Sequence, residues 1–490
     1  MKYILALLVI VAGCSVHHTK SPANLQYELS FEKTNNIHVK LTYKPVEMGS
    51  TLFTYGEPRF GGQPDIIRGL TDLKVSDGSR IMFNDISREI TVFYKDSLPV
   101  TIEYNIIDTH TKEQGLRGEL FRPIIMNDYV YCHGINLFLN PVLRNNKLNV
   151  SQSVEWKSLP PFKLFQSFDP QNNGSRISIG RPADFMYNLI TGAEDMVTDE
   201  VDIEGNRNYL VMRIIKNKDL NRKAVAEYFK QYYTGISRFW NEPSPEPYCL
   251  ILQPFLSIDH NIGGMGLGSG FAGKYSYKAD TILTPERIFV LSHEIGHHWI
   301  GGKIDSDIND QWFGEGFNDY FTYYTLLMTG LMTPDQFERT FNTVLESHYT
   351  ARIKSLPNDS IWPNYWKMGD YNKLPYRRGS IFAFFLDNQI RKLSNGGKNI
   401  RDLMLSIKNF CINKGVGYQL SINDFSQLAS EFIPADTVKA EIDRYIVKGE
   451  PIIFSGEMLV DAFSVSMKDD VPILRITDKG KFESLFSTGN

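Results

Sequence analysis

The chain has 490 residues, with 52 lysines and arginines against 56 aspartates and glutamates, a net charge of −4. That balance, with no basic stripe, argues against a nucleic-acid binder, and the length allows two or three domains with sizeable cores. Hydrophobic content of 42% and charged content of 22% are ordinary for a globular protein, so function has to be read from particular residues.

Lys2 precedes an apolar run, Tyr3 to Ala12, too short to span a bilayer and shaped like a secretory signal peptide. The run ends in Val11-Ala12-Gly13-Cys14, which resembles a bacterial lipobox. The resemblance implies removal of residues 1–13 and lipid attachment to Cys14. The alternative is an ordinary signal peptide with an incidental cysteine. Ser15 stands where an acidic residue would hold a lipoprotein at the inner membrane. An outer-membrane anchor, periplasmic or surface-facing, follows if the source is a diderm bacterium. Residues 14–24 then form a polar, lipidated tether.

From 25 to about 210 the text is β-rich, a sandwich or saddle-shaped sheet. His38 to Tyr43 and Glu89 to Tyr94 alternate apolar and polar residues, the mark of a half-buried strand. Gly61-Gly62-Gln63-Pro64-Asp65 is a turn signal. Further strands are expected at Tyr129 to Leu139 and Tyr209 to Ile215. Cys132, Cys249 and Cys411 are widely separated and sit among apolar neighbours, which favours buried reduced thiols; the count also permits one disulfide.

Helical pattern begins at Asn221 and is expected to stop at Pro243, Pro245 and Pro247, with a buried strand following at Pro247 to Leu252. Gly263-Gly264-Met265-Gly266, at the head of a glycine-rich run to Gly270, lacks a lysine at phosphate-loop spacing. It reads as a substrate-side strand or loop, or as a plain surface turn.

The stretch from Thr284 to Tyr324 carries the chemistry. Thr284 is an N-cap, Pro285 suits the first helical position, and Ile288, Phe289, Leu291, Ile295 and Trp299 keep helical spacing until Gly301-Gly302. His293 and His297 sit four apart and point the same way. Glu315, at the start of a second helical pattern, supplies a carboxylate. Two neutral imidazoles and a carboxylate make a catalytic site for one zinc ion with a fourth position left for water. Glu294 is placed to act on that water as general base. Asp319 shares the face of Glu315; it either accepts the second ring N–H of a zinc-bound histidine or is an exposed helix carboxylate. The bland reading of His-Glu-x-x-His is a chance match.

Beyond this stretch, Gly330 is expected to end the Glu315 helix and Thr333-Pro334 to cap another. Helices follow at about Arg377 to Leu393, Ile400 to Asn413, and within 422–448. Residues 211–455 form one mostly helical domain, and 456–490 a strand-like tail.

His293-Glu294-x-x-His297-x-Trp299 followed by Glu315-Gly316-Phe317 resembles the signature of the aminopeptidase N and glycyl aminopeptidase families, zinc peptidases of the gluzincin type. Glu315 to Phe321, Gly330-Leu331-Met332-Thr333-Pro334, Tyr376-Arg377-Arg378-Gly379, and Phe385 to Arg391 lean toward the glycyl aminopeptidases, as does Ile442 to Gly449. The resemblance is close over about 245–450 and looser before it. It implies an α+β multidomain chain, a β-rich N-terminal domain followed by a thermolysin-like, mostly helical zinc peptidase domain. It also implies zinc ligands His293, His297 and Glu315, general base Glu294, and a Tyr376 hydroxyl directed to the tetrahedral intermediate, where it would stabilise charge that appears only in the transition state.

Two departures stand out. The segment 298–314 is one residue shorter than aminopeptidase N spacing, whereas glycyl aminopeptidases carry a longer insert. Both families place a glutamate that grips the substrate's α-amine in a Gly-rich motif before the zinc helix, and here that position is Gly266. The loss removes a charge-assisted bond to the ammonium. The residues after about 450 leave room for no more than a fragment of the PDZ domain of glycyl aminopeptidases. The expected activity is zinc-dependent peptide hydrolysis by a membrane-anchored lipoprotein. It is aminopeptidase-like or, because of Gly266, an endopeptidase or a peptidase of unusual end-specificity. A peptide- or glycan-binding lipoprotein with structural zinc is the alternative from another class.

Overall fold

The computed structural model describes residues 24–487 except 33–34, 47–48, 57–64, 77, 85–88, 96–97, 145–148, 172–174, 181–185, 215–219, 243–246, 308, 366–368 and 416. The expected leader, Cys14 and most of the tether lie outside the described residues, as do the Gly61 to Pro64 turn, Pro243 and Pro245. Among the described residues, no helix is long and apolar enough to cross a membrane.

The N-terminal part is a sandwich. A six-stranded sheet runs in the order 175–180, 150–158, 25–32, 36–43, 100–107, 70–75, and a four-stranded sheet in the order 140–142, 50–54, 89–93, 80–84. Strand Asn36–Tyr43 alternates half-buried and buried positions along its whole length, as does Glu89–Phe93. Val39, Leu41, Ile90 and Val92 thereby meet in one core shared by the two sheets. The expected strand from Tyr129 stops at His133, because Gly134–Asn136 turns into a short 3₁₀ segment.

A third, four-stranded sheet built on Tyr129–His133 and Leu189–Ala193 joins the sandwich to the remainder. Tyr129, Tyr131 and Phe165 pack on Cys249, Ile251 and Ala272 of the next sheet. That sheet has five strands in the order 196–203, 206–213, 249–254, 270–275, 262–267. Its central strand Cys249–Pro254 is buried at every position, as a strand covered on both faces must be. Position 210, the expected domain boundary, falls inside strand Asn206–Arg213. Strands Met196–Ile203 and Asn206–Arg213 form a hairpin that pairs in parallel with 249–254 and contributes Val201, Ile203, Leu210 and Met212 to the helical core. Cys132, Cys249 and Cys411 are all buried.

Helices cover the far face of this sheet. Helix Arg222–Phe239 ends just before the proline cluster. Pro334–Tyr349 starts in a full capping box formed by Thr333 and Gln336, and Ile400–Lys414 in another formed by Asn399 and Asp402. The last residues are not a detached tail: hairpin 463–476 and helix Lys479–Leu485 place Phe463, Leu474, Phe482 and Phe486 in the helical core. Asp387 is a buried junction that accepts from Tyr320 Oη at 2.8 Å, Arg391 Nε at 3.0 Å and Ile400 N at 3.0 Å. The segment from Phe385 to Arg391 therefore fastens three helices together.

Candidate active site

Three elements converge on one cleft, and each has a local reason for its shape. The histidine helix, Pro285–Gly296, starts as expected: the Thr284 side chain accepts from Arg287 N, and Pro285 fills the first turn. It ends earlier than expected, with His297 as its C-cap. Trp299 is buried in the following turn instead, which closes through Gly301 at φ 102°, a backbone conformation that glycine adopts without a steric penalty.

Glu315 lies in the first turn of the second helical segment, as expected, and that turn, Trp312–Phe317, is π-helical and runs into helix Asn318–Met328. Such widened turns are rare and concentrate at functional sites. Gly296 lets the histidine helix approach closely enough for Asn318 Nδ2 to donate to the His293 carbonyl at 2.8 Å. Tyr376 comes from a third helix, Gly369–Leu393, which begins two turns before the expected Arg377 and carries Pro375 inside it. Proline in a helix interior leaves one carbonyl without its usual N–H donor. Here the turn around it is fixed from outside by the Glu315 segment, because Gly379 lies against Gly316. Arg378, two residues after Tyr376, is buried and donates to the carbonyls of Lys354 and Leu356.

His293 Nε2 and His297 Nε2 lie 3.1 and 3.3 Å from one oxygen of Glu315, Oε2. All three ligand atoms fall within 4.8 Å of one another. With metal–ligand bonds near 2.0–2.2 Å, a tetrahedral site has ligand-to-ligand edges of about 3.3 Å, so the donor set fits a zinc ion. The other ring nitrogens face partners of their own: His293 Nδ1 lies 2.8 Å from Asp319 Oδ1, close but not aligned as a straight hydrogen bond, and His297 Nδ1 lies 2.8 Å from the Ile300 carbonyl oxygen, which can only accept. With a metal ion between them and Glu315, these partners would favour the tautomers that turn each Nε2 toward it. The structure places Asp319 beside His293, with its side chain 16% exposed.

The charges reinforce one another. Burial raises the Glu315 carboxyl, but the two imidazoles outweigh it and hold the group far below the usual carboxylate range. Burial lowers both histidines; Asp319 and Glu315 overcome this at His293, and Glu315 does so at His297. Glu294 behaves differently. Burial pushes it up, the imidazoles pull it partly back, and it stays above the ordinary range, which suits a group that must take and release a proton. Side-chain exposures of 23% at His297 and 18% at Glu315 leave the cluster open to a ligand.

The Tyr376 ring stacks near His293 at 5.8 Å between centroids, and the Lys373 ammonium lies 5.1 Å from the centroid of the Tyr376 ring. Burial, then Glu315 and Tyr365, keep its phenol protonated. Tyr365 and Tyr376 share a hydrogen bond. Tyr365, Asn318 and the Ile300 carbonyl are participants that the sequence reading missed. The first two lie outside the signature, and a carbonyl leaves no mark in side-chain pattern.

Gly263, Gly264, Met265 and Gly266 lie on strand Ile262–Leu267, the edge of the five-stranded sheet, packed against the histidine helix. Gly264 is needed for space, since a Cβ there would come within 2.6 Å of the Ala272 carbonyl. Gly266 is not: a Cβ there would meet nothing within 4 Å.

No family model matches the chain, and no curated protein matches it significantly. Solved structures do. An aminopeptidase N family protein from Idiomarina loihiensis superposes with a TM-score of 0.73 at 13% identity, covering 90% of this chain and 79% of that one. An M1 zinc metallopeptidase from Deinococcus radiodurans gives 0.51 at 13% identity over 88% and 93% of the two chains. Yeast LTA4 hydrolase gives 0.51 at 14% identity over 88% and 67%. The chain has the aminopeptidase N-type, gluzincin fold, with a β-rich N-terminal region and a helical C-terminal region.

Proposed function

We propose that the protein is a zinc-dependent peptidase, with His293, His297 and Glu315 holding the metal. The observation that carries this is the convergence of those three ligand atoms with Glu294 and Tyr376 in one cleft beside an open sheet edge. A zinc ion held there supplies Lewis acidity toward a peptide carbonyl and toward the attacking water. Glu294 takes the water's proton and later passes it to the leaving amine. Tyr376, protonated and fixed by Tyr365, donates its O–H to the oxyanion as charge develops. Asp319 and Ile300 keep the histidine rings oriented. Strand Ile262–Leu267 offers its outer edge to an extended peptide backbone. The likeness of fold to M1 peptidases supports the class of reaction. Digestion of a peptide library, read by mass spectrometry with and without a chelator, tests it. Cleavage that the chelator abolishes and zinc restores is expected; zinc retained without turnover of any peptide would favour a binding protein.

Gly266 favours a second reading of the specificity. The strand offers open space and no carboxylate where an α-amine would be gripped, so chain can extend past the amino side of the scissile bond. Matched peptides with free and acetylated N-termini decide this: equal rates mean endopeptidase action, and loss on acetylation means aminopeptidase action.

Localisation rests on the leader. We read Cys14 as a lipid-bearing cysteine that anchors the peptidase to a bacterial membrane, outer if the source is diderm, by way of the apolar run before it. Palmitate labelling that is lost in Cys14→Ser checks the reading; labelling unchanged in that variant contradicts it.

A further inference from the structure

The turn after the histidine helix is held by a residue far away in sequence. Glu242 Oε2 accepts from the Trp299 indole N–H at 2.9 Å and from Lys303 Nζ at 2.6 Å. Its other oxygen accepts from Lys408 Nζ at 2.9 Å, and Lys408 donates in addition to the Trp240 carbonyl. Trp299 and Lys303 bracket Ile300, whose carbonyl accepts a hydrogen bond from His297 Nδ1–H. Within the bracket, Ile300 N donates to the Gly296 carbonyl, Gly301 N to Ile304 and Ile304 N to Trp299. One carboxylate therefore grips both ends of the loop that sets the tilt of a ligand ring, and Lys408 fastens that carboxylate to helix Ile400–Lys414. Trp299 is fully buried and stacks on Trp240 at 6.2 Å, so the indole could not easily find another acceptor.

We propose that Glu242 is a positioning residue for His297, acting through Trp299, Lys303 and the Ile300 carbonyl. This rests on the zinc reading of the site. A ligand ring whose second nitrogen is held by a backbone carbonyl is only as well oriented as that carbonyl, and outer partners of this kind are worth about 10–100-fold in metal affinity. Glu242 touches neither the ligand atoms nor the cleft, so a purely structural role would leave zinc affinity unchanged once the protein is folded.

The test is zinc affinity by chelator competition, with the absorption spectrum of cobalt-substituted protein and the melting temperature of the metal-free protein alongside. Glu242→Ala is expected to bind zinc about 10-fold more weakly and to shift the cobalt bands. Glu242→Gln keeps an acceptor for the indole and is expected to recover most of the loss. If Glu242→Ala does not fold, Lys303→Ala removes one strut from the accessible side and is expected to weaken zinc to a smaller extent. Wild-type zinc affinity and an unchanged cobalt spectrum in folded Glu242→Ala, or in Lys303→Ala where the first does not fold, overturn the proposal. Wild-type protein that takes up no zinc overturns the zinc reading as well, so the two failures are told apart.

Discussion

Gly316 and Gly379 meet backbone to backbone. A Cβ on Gly379 would come within 2.7 Å of the Gly316 Cα, and one on Gly316 within 2.6 Å of the Pro375 carbonyl oxygen. This contact sets the π-turn carrying Glu315 against the helix turn carrying Tyr376. It gives a spatial reason for the glycine in both Glu315-Gly316-Phe317 and Tyr376-x-x-Gly379. Alanine at either position must drive the elements apart, at a cost of about 1–3 kcal/mol for overpacking. Gly379→Ala is expected to melt at lower temperature and to lose peptidase activity by more than its loss of zinc. Thermal unfolding and zinc content measured together check this.

Asp319 Oδ1 lies 2.8 Å from His293 Nδ1. Asp319→Ala should weaken zinc by about 10–100-fold, and Asp319→Asn, which keeps an acceptor oxygen, by less. Competition with a chelator gives both numbers. Equal affinity in all three proteins would return Asp319 to the role of a bystander carboxylate.

Tyr376→Phe removes a donor and little volume. The rate constant kcat should fall by about 10²–10³-fold, as when one oxyanion donor is lost, with zinc content unchanged and KM little altered. Tyr365→Phe should act in the same direction but less, since it reaches the oxyanion only through Tyr376. Steady-state kinetics on one peptide distinguishes the two.

Lys274 and Glu119 are fully buried where the N-terminal part meets the five-stranded sheet, 3.7 Å apart, with the ammonium 4.2 Å over the Tyr131 ring. Burial pulls the lysine down to about 8 against the opposing pull of Glu119. A base with a depressed folded-state pKa binds fewer protons folded than unfolded between that value and its ordinary 10.5, so this group's contribution makes stability rise with pH across that window. Lys274→Met leaves Glu119 buried without its cation and is expected to cost about 3–5 kcal/mol. Denaturant unfolding of wild type and variant at about pH 7.5 and about pH 10 should show the wild type gaining on the variant at the higher pH; a gap that stays constant would show that Lys274 is not the titrating group.

How much of this was legible beforehand follows from range. Alternation in 36–43 and 89–93, the caps at Thr284 and Thr333, and the i, i+4 histidines depend on neighbours a few residues away, and the structure has them where the pattern places them. The early stop at Gly296, the π-turn at Glu315 and the helix continuing back through Pro375 are set by packing between segments far apart in the chain, and local pattern carries no trace of it. The hairpin 196–213 looks like the strands before it and joins the later sheet only because strand 249–254 needs a partner. Glu242 was invisible for the same reason: nothing around it in sequence points to Trp299.

The central claim is that Glu294 moves the proton in a zinc peptidase. Glu294→Gln, loaded with zinc to the wild-type level and assayed on a peptide that the wild type cleaves, tests it most directly. The account predicts intact zinc binding, an intact fold and a fall in kcat of at least about 10²-fold. Zinc-loaded Glu294→Gln that cleaves the peptide as fast as wild type would contradict it.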